Sequence, residues 1–177
     1  MRIETPRLIL RGWTDADLNG YAEMVGDPRV MEYYVHTVDR EMALQQARDI
    51  RDRLQKNGYG RYVMEIKGQP GFAGMMVLDD IRYEVPFEPK VEIGWMLPVH
   101  AWGHGYATEG ARELLRVAFE DLKWPEVIAM TSAVNHRSRR VMRKLGMTHD
   151  PGEDFDHPRL PQGHLLQRCV LYRIKAR

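Results

Sequence analysis

The stretch best equipped for chemistry is Leu97-Pro98-Val99-His100-Ala101-Trp102-Gly103-His104-Gly105-Tyr106-Ala107-Thr108-Glu109. An apolar strand pattern ends at Pro98, Gly103 and Gly105 leave the backbone bare, and a helical pattern follows at once. Such a turn aims several unpaired N–H groups and the positive end of a helix dipole at one point, which makes an anion site. Side chains at either glycine would block close approach of a pyrophosphate. A dinucleotide-binding fingerprint would need a third glycine where Thr108 stands, and its strand would not come after five other elements. A phosphate-binding P-loop would need Gly-Lys-Ser/Thr, which does not follow. On the glycines alone, a strand-to-helix turn without a ligand stays open.

A second group begins at Asn135 and carries basic residues at Arg137, Arg139, Arg140, Arg143 and Lys144. Asn135 reads as a helix N-cap, and Ser138 lies one turn further on the same face. The basic residues read as a solvated face, as a surface for nucleic acid, or as partners for the phosphates of a small anion. Nothing else in the chain supports a nucleic-acid motif. The seven histidines show no metal-ligand spacing, and His100 and His104 lie across a turn, so no metal is expected.

The elements that must position these residues are readable from periodicity. Arg7 to Arg11 forms a first strand, and Thr14-Asp15-Ala16-Asp17 caps a helix ending near Gly26. A second helix opens at Asp39 and stops at Asn57-Gly58. Strands follow at 61–66 and 72–78, then a surface loop at 79–89 and a strand at 91–97. A helix runs from Gly105 to Leu122. Then come a strand at 126–132, a helix at 135–145, a long loop at 148–165 and a last strand at 167–174. This is one mixed α/β (α+β) domain spanning 1–177.

The chain has 177 residues, 44% of them hydrophobic, enough for a single core without disulfides or structural metal. Its only cysteine, Cys169, sits in an apolar strand and reads as a buried, inert thiol. A net charge of +1 predicts no bulk attraction to nucleic acid or an acidic membrane. No apolar leader and no run of about 18 apolar residues occurs, so a cytoplasmic location without a membrane span is expected.

Three motifs together carry a resemblance. Trp102 to Glu109 resembles the acyl-CoA pyrophosphate loop of the GNAT superfamily of N-acetyltransferases, with Trp102 in place of a first basic or amide residue. The run Asn135-His136-Arg137-Ser138 to Lys144-Leu145-Gly146-Met147 is similar to a helix of the branch containing ribosomal-protein alanine N-acetyltransferases. The opening Thr5-Pro6-Arg7-Leu8-Ile9-Leu10-Arg11 is also typical of that branch. The resemblance covers about residues 5–174. It implies a central mixed sheet with antiparallel N-terminal strands, splayed central strands and about four flanking helices.

It further implies acetyl transfer from acetyl-CoA to a primary amine, with a peptide or protein N-terminal α-amine favoured and a small-molecule amine as the other option. In that reading the backbone around Trp95, Met96 and Leu97 binds the pantetheine arm, while His104, Tyr106, Ala107 and Thr108 join the glycines at the pyrophosphate. Asn135 reaches the same arm, Ser138 is the candidate acid at the leaving sulfur, and Lys144 stands among the candidates for the phosphates. Glu92 is the candidate general base, because a carboxylate on a central strand is desolvated and its pKa raised. Tyr33, Tyr34 and His157 line the acceptor pocket, and a homodimer is a family-level expectation. The rival reading is a non-catalytic acyl-CoA-binding regulatory domain.

Overall fold

The computed structural model describes residues 2–176. Nine strands form one mixed sheet: β1 (Arg2–Glu4), β2 (Leu8–Arg11), β3 (Arg61–Ile66), β4 (Met75–Asp80), β5 (Val91–Met96), β6 (Glu126–Ser132), β7 (Thr148–His149), β8 (Phe155–Asp156) and β9 (Arg168–Lys175). Their spatial order is β1-β2-β3-β4-β5-β6-β9-β7, and β8 pairs β9 beside this path. Four α-helices flank the sheet: α1 (Asp17–Gly26), α2 (Arg40–Asn57), α3 (Tyr106–Arg116) and α4 (His136–Lys144). All neighbouring strands are antiparallel except β5 and β6, which run parallel and share a single register pair, Glu92 with Ile128. The expected splay of the central strands is therefore present.

Strand alternation sorts the side chains onto two faces. Arg61, Asp79 and Glu92 share one face, toward which α1 and α2 pack. The other face carries α3 and α4, where Gly110 comes so close that a Cβ there would lie 3.0 Å from the Met76 terminal carbon. The main core fills both layers, from Leu8 and Leu10 through Met64, Met76 and Leu78 to Leu114 and Val127. Helix α2 begins as its sequence suggests: Asp39 accepts from the Met42 N–H, and Gly58 ends it in the left-handed region at φ 78°.

Other boundaries differ from those the sequence suggests, each for a local reason. Strand β4 starts at Met75, not Phe72, because Gly74 takes φ 143° and breaks the extended run. Helix α3 gives way at Val117 to a π-helical turn through Asp121. Segment 79–89 is no simple surface loop. Asp79 and Asp80 belong to β4, and Ile81 packs with Ile128 and Leu171 in a second small core joined by Tyr83, Val85 and Phe87. The long loop at 148–165 contains β7, β8 and a 3₁₀ turn at Pro151–Glu153. Strand β1 carries only three residues, too few to show a period. Cys169 is buried, and burial pushes its thiol up to about 11.

Thr14 does not cap α1. The helix starts at Asp17, whose carboxylate accepts from the Thr14 N–H and hydroxyl, both at 2.7 Å, and from Arg11 at 2.8 and 2.9 Å. Burial alone would raise the Asp17 pKa, but the Arg11 and Thr14 bonds outweigh it and hold the group below its ordinary value. Its contribution to stability is therefore complete above the ordinary carboxylate range and is lost as acid protonates the folded protein. Asp17→Ala leaves the Arg11 guanidinium half-partnered against Glu65 and should cost about 3 kcal/mol. Thermal unfolding should register this as a fall of roughly 6–12 °C at neutral pH, with a smaller loss in acid.

Candidate active site

The strand-to-helix turn is built as an anion cradle. Gly103 and Gly105 take φ 80° and 81°, a region glycine enters without steric cost. A Cβ on Gly103 would meet nothing within 4 Å, and one on Gly105 only the Arg7 guanidinium at 3.6 Å, so the space above both is open. Gly105 is the N-cap of α3 and supplies no side-chain cap. Among the described residues, the N–H groups of Gly103, His104, Gly105, Tyr106, Ala107 and Thr108 have no hydrogen-bond acceptor. Six unpaired amides at a helix N-terminus have the chemistry that a pyrophosphate needs.

The turn is held by residues that the sequence did not single out for it. Glu109 accepts from the Thr5 hydroxyl at 2.6 Å, the Arg7 N–H at 2.9 Å and Arg7 Nε at 2.6 Å. Arg7 Nη1 also donates to the His104 carbonyl at 3.0 Å, and its guanidinium lies over the Tyr106 ring at 4.9 Å. The N-terminal Thr5–Arg7 segment thus clamps the cradle from outside. A pocket of about 520 Å³ opens beside it, lined by Arg7, Gly105, Thr108, Arg112 and Lys144 among others. Of the basic residues on α4, Lys144 is the one this pocket gathers, and Arg112 is the addition that sequence reasoning missed.

Trp102 pins the turn to the end of β5, since its indole N–H donates to the Leu97 carbonyl at 2.7 Å. The Arg137 guanidinium lies 4.4 Å over the Trp102 ring and 5.5 Å over the Tyr33 ring, and it pairs with Glu32. One arginine of the basic cluster is therefore engaged across the mouth of the cleft. Arg139 donates to the Ala133 carbonyl at 2.9 Å. Trp95 and Met96 are partly buried, and their side chains pack on the main core, so what they can offer a ligand is backbone. Beyond Glu92 that backbone has no register partner on β6.

Asn135 resolves as a true cap. Its Oδ1 accepts from the Ser138 N–H at 3.1 Å, and its Nδ2 donates to Thr131 Oγ1 at 3.0 Å and to Ser138 Oγ at 3.3 Å. Both ends of the amide are thus engaged inside the protein. Because Ser138 Oγ accepts from Asn135, its own hydroxyl hydrogen stays free to donate elsewhere.

Glu92 sits beside Asp79 on the adjacent strand, on the same face. Asp79 holds Arg61 at 3.3 Å and Arg82 at 3.2 Å, whereas Glu92 makes no hydrogen bond or ion pair among the described residues. Desolvation raises the Glu92 pKa to about 7, opposed by Arg61 and reinforced by Asp79. The Tyr34 and Tyr83 hydroxyls both feel the Glu92 charge, and burial first and then that charge raises their pKa values, Tyr34 to about 12. Tyr34 nevertheless keeps 49% of its surface exposed. His157 packs against Tyr83 with ring centroids 5.3 Å apart. His157 thus lies with Tyr83, a residue the sequence hid in a supposed surface loop, while Tyr33 lies with Arg137 and Trp102.

The acetyltransferase (GNAT) domain family matches residues 7–148. FsC-acetyl coenzyme A-N(2)-transacetylase of Aspergillus fumigatus is 41% identical over 96 residues, 52% of this chain, and the chain spans 40% of that protein's length. The uncharacterized protein YkkB of Bacillus subtilis is 30% identical over 151 residues, covering 82% of this chain and 84% of that one. Among solved structures, a GNAT-family acetyltransferase from Bacillus anthracis superposes with a TM-score of 0.80 at 24% identity, over 99% of this chain and 98% of that one. The Salmonella typhimurium acetyl transferase that modifies the N-terminal serine of ribosomal protein L7/L12 gives 0.79 at 15% identity over the whole of both chains. With the family model matched over most of its length, the chain belongs to the GNAT family of acetyltransferases.

Proposed function

We propose that this N-acetyltransferase moves the acetyl group of acetyl-CoA onto a primary amine by direct attack in a ternary complex, with a peptide or protein N-terminal α-amine as the favoured acceptor. The observation that carries the reaction is the Glu92 carboxylate, desolvated and without a hydrogen-bond partner on the strand that parts from β6. A base with a pKa near 7 takes a proton from an ammonium or attacking amine at working pH, directly or through a water. Across the splay, the amides of residues 103–108 and the Arg7, Arg112 and Lys144 charges suit the pyrophosphate and phosphate of CoA. The free backbone edge of β5 suits the pantetheine arm, and one of its N–H groups suits the thioester oxygen as charge builds there. Asn135 turns the Ser138 hydroxyl outward to hydrogen-bond the departing thiolate. The preference for a peptide amine rests on the Asn135–Met147 motif, and the shared fold of the Salmonella enzyme is compatible with it.

Acetyl-CoA at about 100 times its dissociation constant should stabilise the protein by roughly 2.7 kcal/mol, a rise of several degrees in Tm, whereas NADH and ATP should not. Gly105→Val puts a branched side chain into the space above the cradle, near only Arg7, and at φ 81° it also strains the turn. The variant should fold and lose that shift; an unchanged shift would remove the anion site from the argument.

Ionisation of Glu92 governs the pH dependence. Wild-type kcat/KM should climb about a hundredfold per unit below pH 7, where base and α-amine both titrate, about tenfold per unit from there to the α-amine pKa near 8, and level off above it. Glu92→Gln should lower the plateau at least tenfold and erase the limb near 7, leaving only the higher titration of an α-amine, near 8. Because the folded pKa is raised, ionising Glu92 costs stability as pH rises from the ordinary 4.5 to about 7. Glu92→Gln should therefore raise Tm at pH 8 and leave it nearly unchanged at pH 4.5.

Ser138→Ala should lower kcat about tenfold or more at saturating acetyl-CoA while leaving CoA affinity within a few-fold. Stopped-flow thiol release separates the two parameters, and unchanged turnover would show that Ser138 is not the acid.

A further inference from the structure

An exposed arginine, Arg159, stands on the connection that follows β8. Arg159 lies over the Tyr83 ring at 4.5 Å and forms no ion pair among the described residues. Its position is fixed by a tight turn: the Arg159 N–H donates to His157 Nδ1 at 3.2 Å, the Leu160 N–H to the His157 carbonyl, and the His157 N–H to the Gln167 carbonyl. The cations nearer the sheet are already satisfied, since Arg61 and Arg82 both bind Asp79. His157 does not add charge, because burial first and Arg159 second push its pKa below the ordinary value.

Tyr83 connects this guanidinium to the reacting end of the cleft. Its hydroxyl approaches Met130 Sδ on β6 at 3.7 Å and feels the charge of Glu92. The Arg159 guanidinium thus covers the face of a ring whose hydroxyl reaches Met130, two residues along β6 from the Ile128 that pairs with Glu92. A second observation points the same way. Ile128 and Met130 face the small core around Ile81 and Tyr83, so Ser132, two residues on, faces that side too. Ser132 is 6% exposed, and its hydroxyl has no hydrogen-bond partner among the described residues. It lies opposite Cys169, whose thiol the Tyr83 hydroxyl also feels. A buried hydroxyl without a partner is uncommon and marks a place where a polar guest is expected.

We propose that Arg159, stacked on Tyr83, selects acceptors that carry a carboxylate near the reacting amine, so that the substrates are zwitterionic amines such as amino acids or peptides with an acidic residue close to the N-terminus. One guanidinium and one hydroxyl can neutralise a single negative charge through paired N–H donors, which suits a carboxylate better than a phosphate dianion. Attraction between Arg159 and that carboxylate sets the orientation, and the amine then meets Glu92 beyond the Tyr83 ring. The proposal rests on the reading that Glu92 faces the acceptor.

Matched amines test it in the full-length protein: alanine against alaninamide, Ala-Asp-amide against Ala-Asn-amide, and Ser-Glu-amide against Ser-Gln-amide. At least one carboxylate-bearing member should lead its neutral partner by about tenfold in kcat/KM, mostly through KM. Arg159→Gln should bring that ratio to near one, and Arg159→Lys should restore part of it. The acetyl-CoA-induced rise in Tm should persist in both variants, which shows an intact fold and cofactor site. Acetylation of all six amines without preference, or a preference that survives Arg159→Gln, would overturn the proposal while leaving the acetyl-transfer reading in place. Failure to acetylate any amine despite the Tm rise would overturn that reading, and this one with it.

Discussion

Strands β5 and β6 lie side by side and parallel, yet only Glu92 and Ile128 are in register. Each strand is firmly held on its other flank, β5 to β4 from Val91 to Met96 and β6 to β9 along its whole length. The sheet therefore consists of two stiff halves joined at one point. Backbone groups left unpaired inside a sheet are costly unless something else bonds them. Here the cost falls on the edge where an extended ligand can lie as an extra strand. The split also gives Glu92 its surroundings. At the one point where the halves are in register it is desolvated, and no hydrogen bond from the described residues reaches it.

Two neighbouring carboxylates show how position sets behaviour. Asp79 and Glu92 occupy paired positions on adjacent strands and the same face. Asp79 is buried and gripped by Arg61 and Arg82. Its fixed negative charge then adds to desolvation in raising the Glu92 pKa. Replacing a water shell with a neighbouring anion makes a base that can both hold and release a proton near neutral pH. The same economy operates at the cofactor end, where Glu109 is spent on holding Thr5 and Arg7 and leaves the cradle amides bare.

Much of the cofactor half was legible in the sequence because short-range patterns encode it. A strand, two glycines and a helix occupy consecutive residues, so their chemistry follows from local spacing. Asn135 and Ser138 lie one helical turn apart, and that contact too is local. The clamp of Thr5 and Arg7 on Glu109 joins positions about a hundred residues apart, and no periodicity announces it. Tyr83 was hidden for another reason: segment 79–89 has two prolines and mixed charge, the signature of a solvent loop, yet Ile81 anchors it to β6 and β9. The start of β4 was misplaced because Gly74 interrupts an apolar run whose pattern would otherwise continue.

The division between legible and hidden parts follows the division of labour in the site. Acetyl-CoA would be gripped by backbone: bare amides, a strand edge and a helix end, whose placement depends on glycines and sheet register. The acceptor would meet side chains borne on connections, Tyr34 after α1, Tyr83 after β4, and His157 and Arg159 after β8. Connections can change length and sequence without disturbing the β4–β5 or β6–β9 pairings that define the cleft. A fold arranged this way can keep one donor chemistry while its acceptor changes. The charge of a residue such as Arg137 then says little by itself. On paper it belongs to a basic stripe fit for a polynucleotide, but in the fold Glu32, Trp102 and Tyr33 have already engaged it. Among the cations that no described carboxylate pairs, Lys144 and Arg112 line the pocket beside the cradle and Arg159 lies over Tyr83, where a substrate would meet them.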